Sequence, residues 1–119
     1  MSEPEPAADA RAGAVFEALA DPTRRAVLRD VATRGPRTAT EVAADLPVSR
    51  QAVAKHLAVL REAGLVAHER AGREARFTAQ LAPLGDAERW LRAAGDAWDD
   101  RLRRLEALAG KRDGRSGPE

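Results

Sequence analysis

Arg50, Gln51, Ala54 and Lys55 are spaced so that they share one side of a helix, and their chemistry suits that side for reading polar edges. An arginine can hold guanine through two hydrogen bonds, a glutamine can hold adenine likewise, and a lysine reaches phosphate or guanine. Val53, Leu57 and Leu60 fall on the opposite side at the spacing of an apolar stripe. The stretch "PVSRQAVAKHLAVLREAGLV", residues 47–66, thus predicts a short helix with a buried face and a chemically equipped outer one. Ser49 can cap its start and touch a phosphate, and Gly64 ends it. His56 borders the outer arc as a candidate phosphate contact, with partial burial as a structural histidine the competing role.

The preceding elements must position that helix. Ala12, Val15, Phe16 and Leu19 follow the i, i+3, i+4, i+7 pattern of a first amphipathic helix. Asp21 is a good N-cap for a second, Pro22 fits its first position, and Val27, Leu28 and Val31 continue the burial until Gly35 and Pro36 stop it. Thr38 and Glu41 have the spacing of a capping box, which opens a short third helix ending near Leu46 and Pro47. After the stretch quoted above, Leu65 to Arg70 and Ala75 to Ala79 read as two strands joined across "AGRE", with Gly72 supplying a positive φ. Two short helices around a turn at "LPVS", followed by a hairpin, predict a winged helix-turn-helix. Arg70, Arg73 and Arg76 gather at the wing, where they would attract phosphate without reading sequence.

At this point the chain resembles a known family. "FEALADPTRRAVLRDV" and "TATEVAADLPVSRQAVAKHLAVLREAGLVAHERAGREARF" are similar, in order and spacing over roughly residues 14–78, to the ArsR-type winged helix-turn-helix repressors. The resemblance implies a mainly α fold of five to six helices with a small β-hairpin wing, a homodimer, and repression by blocking a promoter. It also implies base contacts from the start of the motif's second helix, here Arg50, Gln51, Ala54 and Lys55. Many relatives sense metals through cysteine or through Asp and His pairs. This chain has no cysteine and no histidine beyond residue 68, so it resembles a cysteine-free branch that does not sense metals. Asp86, Glu88, Asp96, Asp99 and Asp100 of the last helix are poor Zn²⁺ ligands without imidazole, and no metal or other cofactor is expected.

Leu84, Leu91, Trp98 and Leu105 recur every seven residues, with Ala87, Ala94, Leu102 and Leu108 on the same side, so the last helix carries a stripe from about 84 to 109. Both tryptophans, Trp90 and Trp98, lie on it in a chain only 3% aromatic. Aromatics concentrate where partners bury surface, and a self-complementary stripe suits a two-fold axis. The expectation is a homodimer built on the first and last helices, with Val15, Phe16, Leu19, Leu84, Trp90, Leu91, Ala94, Trp98, Leu102 and Leu105 at the interface.

Composition bounds the remaining possibilities. A chain of 119 residues, 44% hydrophobic, can build one small core, placed here at 11–110: helix-turn-helix about 39–63, wing about 65–79, last helix about 84–109. Residues 1–10 and 111–119, rich in charge, Pro and Gly, are expected to be disordered tails. No apolar run approaches the roughly 20 residues that span a bilayer, and the acidic start is unlike a signal peptide, so the expected location is the cytoplasm. Residues 22–80 hold eleven cations against six anions, whereas residues 1–21 hold one against five, and a basic middle suits a polyanion. No phosphate-binding loop, dinucleotide fingerprint or nucleophile motif is present, so an enzyme is not expected, and no polar constellation marks an effector pocket. The expected partner is double-stranded DNA carrying an imperfect palindrome. A winged module that binds protein instead is the alternative, since fold alone does not set function.

Overall fold

Asp21 accepts a hydrogen bond from the Arg24 backbone N–H at 3.0 Å, and this cap separates the first two of the five helices among the described residues. The computed structural model describes residues 6–116. The elements run α1 (Pro6–Ala18), α2 (Pro22–Arg34), α3 (Ala39–Asp45), α4 (Arg50–Glu62), β1 (Val66–Ala71), β2 (Glu74–Ala79) and α5 (Ala82–Ser116). The chain divides into a compact unit through Ala87 and a second unit from Glu88 onward, which is the continuation of α5.

The junction between α1 and α2 is held by the run "DPTRR". Arg24 Nη1 donates to the carbonyls of Glu17 and Ala18, and Arg25 Nη1 donates to that of Leu19. Two guanidinium groups thus satisfy carbonyls that the end of α1 leaves without helical partners. Asp21 meanwhile serves the start of α2, and the Arg24 N–H holds its carboxyl below the usual carboxylate range.

Val15, Ala18, Val27, Leu28, Val31, Val42, Val53, Leu57, Leu60, Leu65, Val66 and Ala87 form one buried cluster, so every element of the first unit but β2 contributes a buried side chain. Phe77 and Ala79 of β2 pack against its edge. Val15 is 1% exposed, which places it inside this core and not at an interface between copies, contrary to the sequence expectation. Its neighbours Phe16 and Leu19, and Leu84, are half-buried against the same cluster.

β1 and β2 pair antiparallel, with Ala71 opposite Glu74 and Gly72 and Arg73 between them. Gly72 has φ 67°, which lets a two-residue turn close the ribbon. Gly64, at φ 79°, ends α4 and turns the chain into β1; a side chain there would also meet Pro83 at 3.4 Å. One pairing is absent from the sequence reading. Arg37 and Phe77 form an isolated antiparallel bridge, tying the segment before α3 to the wing.

Both helical ends overrun the expected limits. α1 begins at Pro6, inside the stretch expected to be disordered, because proline fits a first turn and the alanines of "PAADARA" favour helix. α5 continues past residue 109 to Ser116; a single glycine such as Gly110 costs only about 1 kcal/mol, and Lys111 and Arg112 are good helix formers. The outer parts of both expected tails, residues 1–5 and 117–119, lie outside the described residues.

Candidate nucleic-acid interface

The Ser49 hydroxyl oxygen accepts the Ala52 backbone N–H at 3.1 Å and so starts α4 at Arg50. From that start the helix sorts its side chains. Val53, Leu57 and Leu60 are fully buried, while Arg50, Gln51, Ala54 and Lys55 are all exposed. The energetics favour this orientation: each of the three buried aliphatics is worth roughly 1.5–3 kcal/mol when removed from water, and rotating the helix would forfeit that and bury Arg50 and Lys55.

α3 sits against α4 and is fixed by a complete capping box. Thr38 Oγ1 accepts the Glu41 N–H at 3.1 Å, and the Glu41 carboxylate accepts the Thr38 N–H at 2.9 Å. That second bond holds the Glu41 carboxyl below the usual carboxylate range, with Arg76 and Arg37 adding to the effect. Arg50 Nε donates to Thr40 Oγ1 at 3.0 Å, so the first residue of α4 is tied to the second residue of α3.

The wing stands beside these two helix starts. Thr38, Thr40, Arg50, Ala54, Arg73 and Phe77 are among the residues lining a depression of about 230 Å³ between them. Arg50 and Arg73 enter it from different elements, and Glu74 adds a carboxylate on the wing side. Such an arrangement offers an exposed helix start for base edges and a basic loop at its flank for phosphate.

Residues 19–69 match a family model described as a helix-turn-helix domain. A stretch of 70 residues is 50% identical to "HTH-type transcriptional regulator Rv2034" of Mycobacterium tuberculosis, covering 59% of this chain and 63% of that protein. Another of 77 residues is 31% identical to "Transcriptional repressor SdpR" of Bacillus subtilis, covering 65% and 84%. Among solved structures, an "ArsR-like Transcriptional Regulator from Rhodococcus sp. RHA1" superposes with a TM-score of 0.74 at 42% identity, covering 84% of this chain and 93% of that one. The chain belongs to the ArsR-like helix-turn-helix transcriptional regulators.

In this ArsR-like chain the wing arginines are not equivalent. Arg76 lies opposite Glu69 in the ribbon and Arg70 opposite Ala75, so the two project from opposite faces. Arg76 makes ion pairs of 3.6 Å with both Glu41 and Glu74. Arg70 Nη1 donates to the Arg73 carbonyl at 3.3 Å across the turn. The Arg73 side chain is exposed at the wing tip and has no ion-pair partner among the described residues. Of the three that the sequence grouped together, Arg76 alone is in an ion pair among the described residues, while Arg70 and Arg73 are exposed cations.

His56 is half-buried and turned toward α2, where Arg24 Nε donates to its Nδ1 at 3.4 Å. This favours the structural role over the phosphate contact. The acids proposed and rejected as metal ligands are partly explained by ion pairs: Asp86 with Arg11 at 3.2 Å, Glu88 with Arg92 at 3.0 Å, and Asp100 with Arg103 and Arg104. Among the described residues no group of three or more His, Cys, Asp or Glu is arranged to hold a metal ion.

Sequence reading missed two features of the site. Thr40 was not singled out, because its contact with Arg50 joins different helices and no periodicity reports it. Arg37 was also missed. Its guanidinium donates to Asp45 and to the Glu41 carbonyl and lies 3.6 Å from Asp30, linking α2 and α3, while its backbone pairs with Phe77 of the wing.

Proposed function

We propose that the chain is a sequence-specific, double-stranded DNA-binding repressor that acts as a homodimer on its own or a neighbouring promoter. The observation that carries this is the outward face of the first two turns of α4, with Arg50, Gln51, Ala54 and Lys55 all exposed over a fully buried Val53, Leu57 and Leu60. In the docking this supports, Arg50 and Gln51 face base edges in a major groove. Ser49, Lys55 and Arg73 meet phosphate, while Arg70 and Arg76 shape the wing that presents Arg73. That the SdpR relative is a transcriptional repressor supports repression as the outcome.

The dimer rests on the second unit. Its helix exposes Trp90, Leu91, Trp98, Leu102, Leu105 and Leu108, with Trp98 57% and Leu108 62% exposed, and Ala94 open among them. A run of large apolar side chains left in water over five turns marks a surface that a partner covers. A second copy suits it, because a two-fold axis brings the same stripe to both sides. The DNA site should then be an imperfect palindrome whose half-sites lie about 10 to 10.5 base pairs apart, or a multiple.

Equilibrium binding of the purified protein to duplexes selected from a random pool tests the proposal. Two chains per selected duplex, with affinity falling steeply as salt rises, is the expected result. Indifference to salt and to sequence would leave a protein-binding module as the better account.

A further inference from the structure

We infer that Thr40 is a positioning residue for base recognition: its hydroxyl fixes the guanidinium of Arg50 in the orientation that reads guanine. The inference deepens the DNA-binding proposal and rests on it. Thr40 lies one residue inside α3, and its Oγ1 accepts Arg50 Nε at 3.0 Å. Of the five guanidinium donors this occupies the one nearest the chain, leaving both terminal nitrogens as a free fork. An arginine held by Nε meets guanine O6 and N7 end-on, with its long side chain already ordered before the duplex arrives.

The surroundings favour that role over others. Arg50 makes no ion pair among the described residues, and the depression in front of it is bounded across the gap by Arg73 and Glu74. The charges of Arg73 and Glu74 on the wing side offset each other, and the bond to Thr40 holds Arg50 on the α3 side. In the free protein both groups are exposed and water competes for the bond. A docked duplex excludes that water, so the bond strengthens when base contact is made. An unheld arginine would instead lose its rotamer freedom on binding and accept a wider range of bases.

The test compares Thr40→Val, which keeps the shape and removes the hydroxyl, with Thr40→Ser, which restores it. For each, the affinity for the selected duplex is divided by that for a duplex changed at the base pair whose identity Arg50→Ala no longer distinguishes. Thr40→Val should lower this ratio about three- to tenfold, the worth of one net hydrogen bond. Thr40→Ser should keep it, and Thr40→Val should add nothing in the Arg50→Ala background. An unchanged ratio with Thr40→Val overturns the inference. So does an equal loss on both duplexes, which would make Thr40 a direct phosphate contact. A wild-type protein with no base preference would instead remove the DNA-reading proposal underneath.

Discussion

Arg37 and Phe77 exchange both backbone hydrogen bonds, the Arg37 N–H donating to the Phe77 carbonyl at 3.0 Å and the Phe77 N–H to the Arg37 carbonyl at 2.7 Å. The wing is therefore fastened to the residue just before the Thr38 cap of α3, and the helix-turn-helix and hairpin share one anchor. The Arg37 side chain reinforces it through Asp45 and Asp30. Native-state hydrogen exchange should show the amides of Arg37 and Phe77 protected to a similar degree and opening together, with the wing tip far faster. Arg37→Ala should speed exchange at Phe77 and lower the melting temperature. Unchanged protection at Phe77 would show that the side chain adds nothing to the anchor.

The same network sets an acid limit. Arg37 holds the Asp45 carboxyl below its ordinary value of 3.8, and the Thr38 N–H holds that of Glu41 below 4.5. Each group binds its proton more readily in the unfolded chain, so the stability it contributes is complete above those ordinary values. That contribution is lost as pH falls through the lower folded ones. The melting temperature should be flat near neutrality and fall below about pH 4.5. Asp45→Asn should lower the plateau and flatten the acid limb. A limb unaltered by Asp45→Asn would assign the acid sensitivity elsewhere.

The division among the wing arginines predicts different salt behaviour. Arg73→Ala should weaken binding to specific and random duplexes alike and reduce the slope of log affinity against log salt by about one. Arg76→Ala should change the slope less, because its charge is already shared with Glu41 and Glu74. Equal slopes for the two variants would return Arg76 to the phosphate-contacting set.

Trp98 is the most direct probe of the second copy. Trp98→Asp places a charge in the middle of the stripe formed with Leu91, Leu102 and Leu105. Sedimentation should show the wild-type chain at twice the single-chain mass and the variant at the single-chain mass. Amide protection of the α2 to α4 core should be unaltered. A variant that stays at the wild-type mass would show that this stripe is not the dimer contact.

Much of this molecule was legible from local rules. The capping box at Thr38 and Glu41, the Ser49 cap, the stop at Gly64 and the turn at Gly72 are each decided by residues within a few positions of one another. The outward face of α4 followed from the 3.6-residue period. What stayed hidden depends on contacts between distant positions: the bridge from Arg37 to Phe77, the Thr40 hold on Arg50, and the pairing of Arg76 with Glu41. Val15 shows another limit, since an apolar stripe reports that a side chain is covered but not whether its own chain or a second copy covers it. The helices run further than charge and proline indicate because the alanines, lysine and arginine beside them favour helix.

The claim on which the account turns is that Arg50 and Gln51 read bases, and sequence selection by the Arg50→Ala, Gln51→Ala double variant tests it most directly. Both side chains are exposed, so the double variant should fold and still bind duplex DNA with a strong dependence on salt. The wild-type protein should enrich an imperfect palindrome from a random pool, and the double variant should enrich none. Enrichment of the same palindrome by both proteins would contradict it.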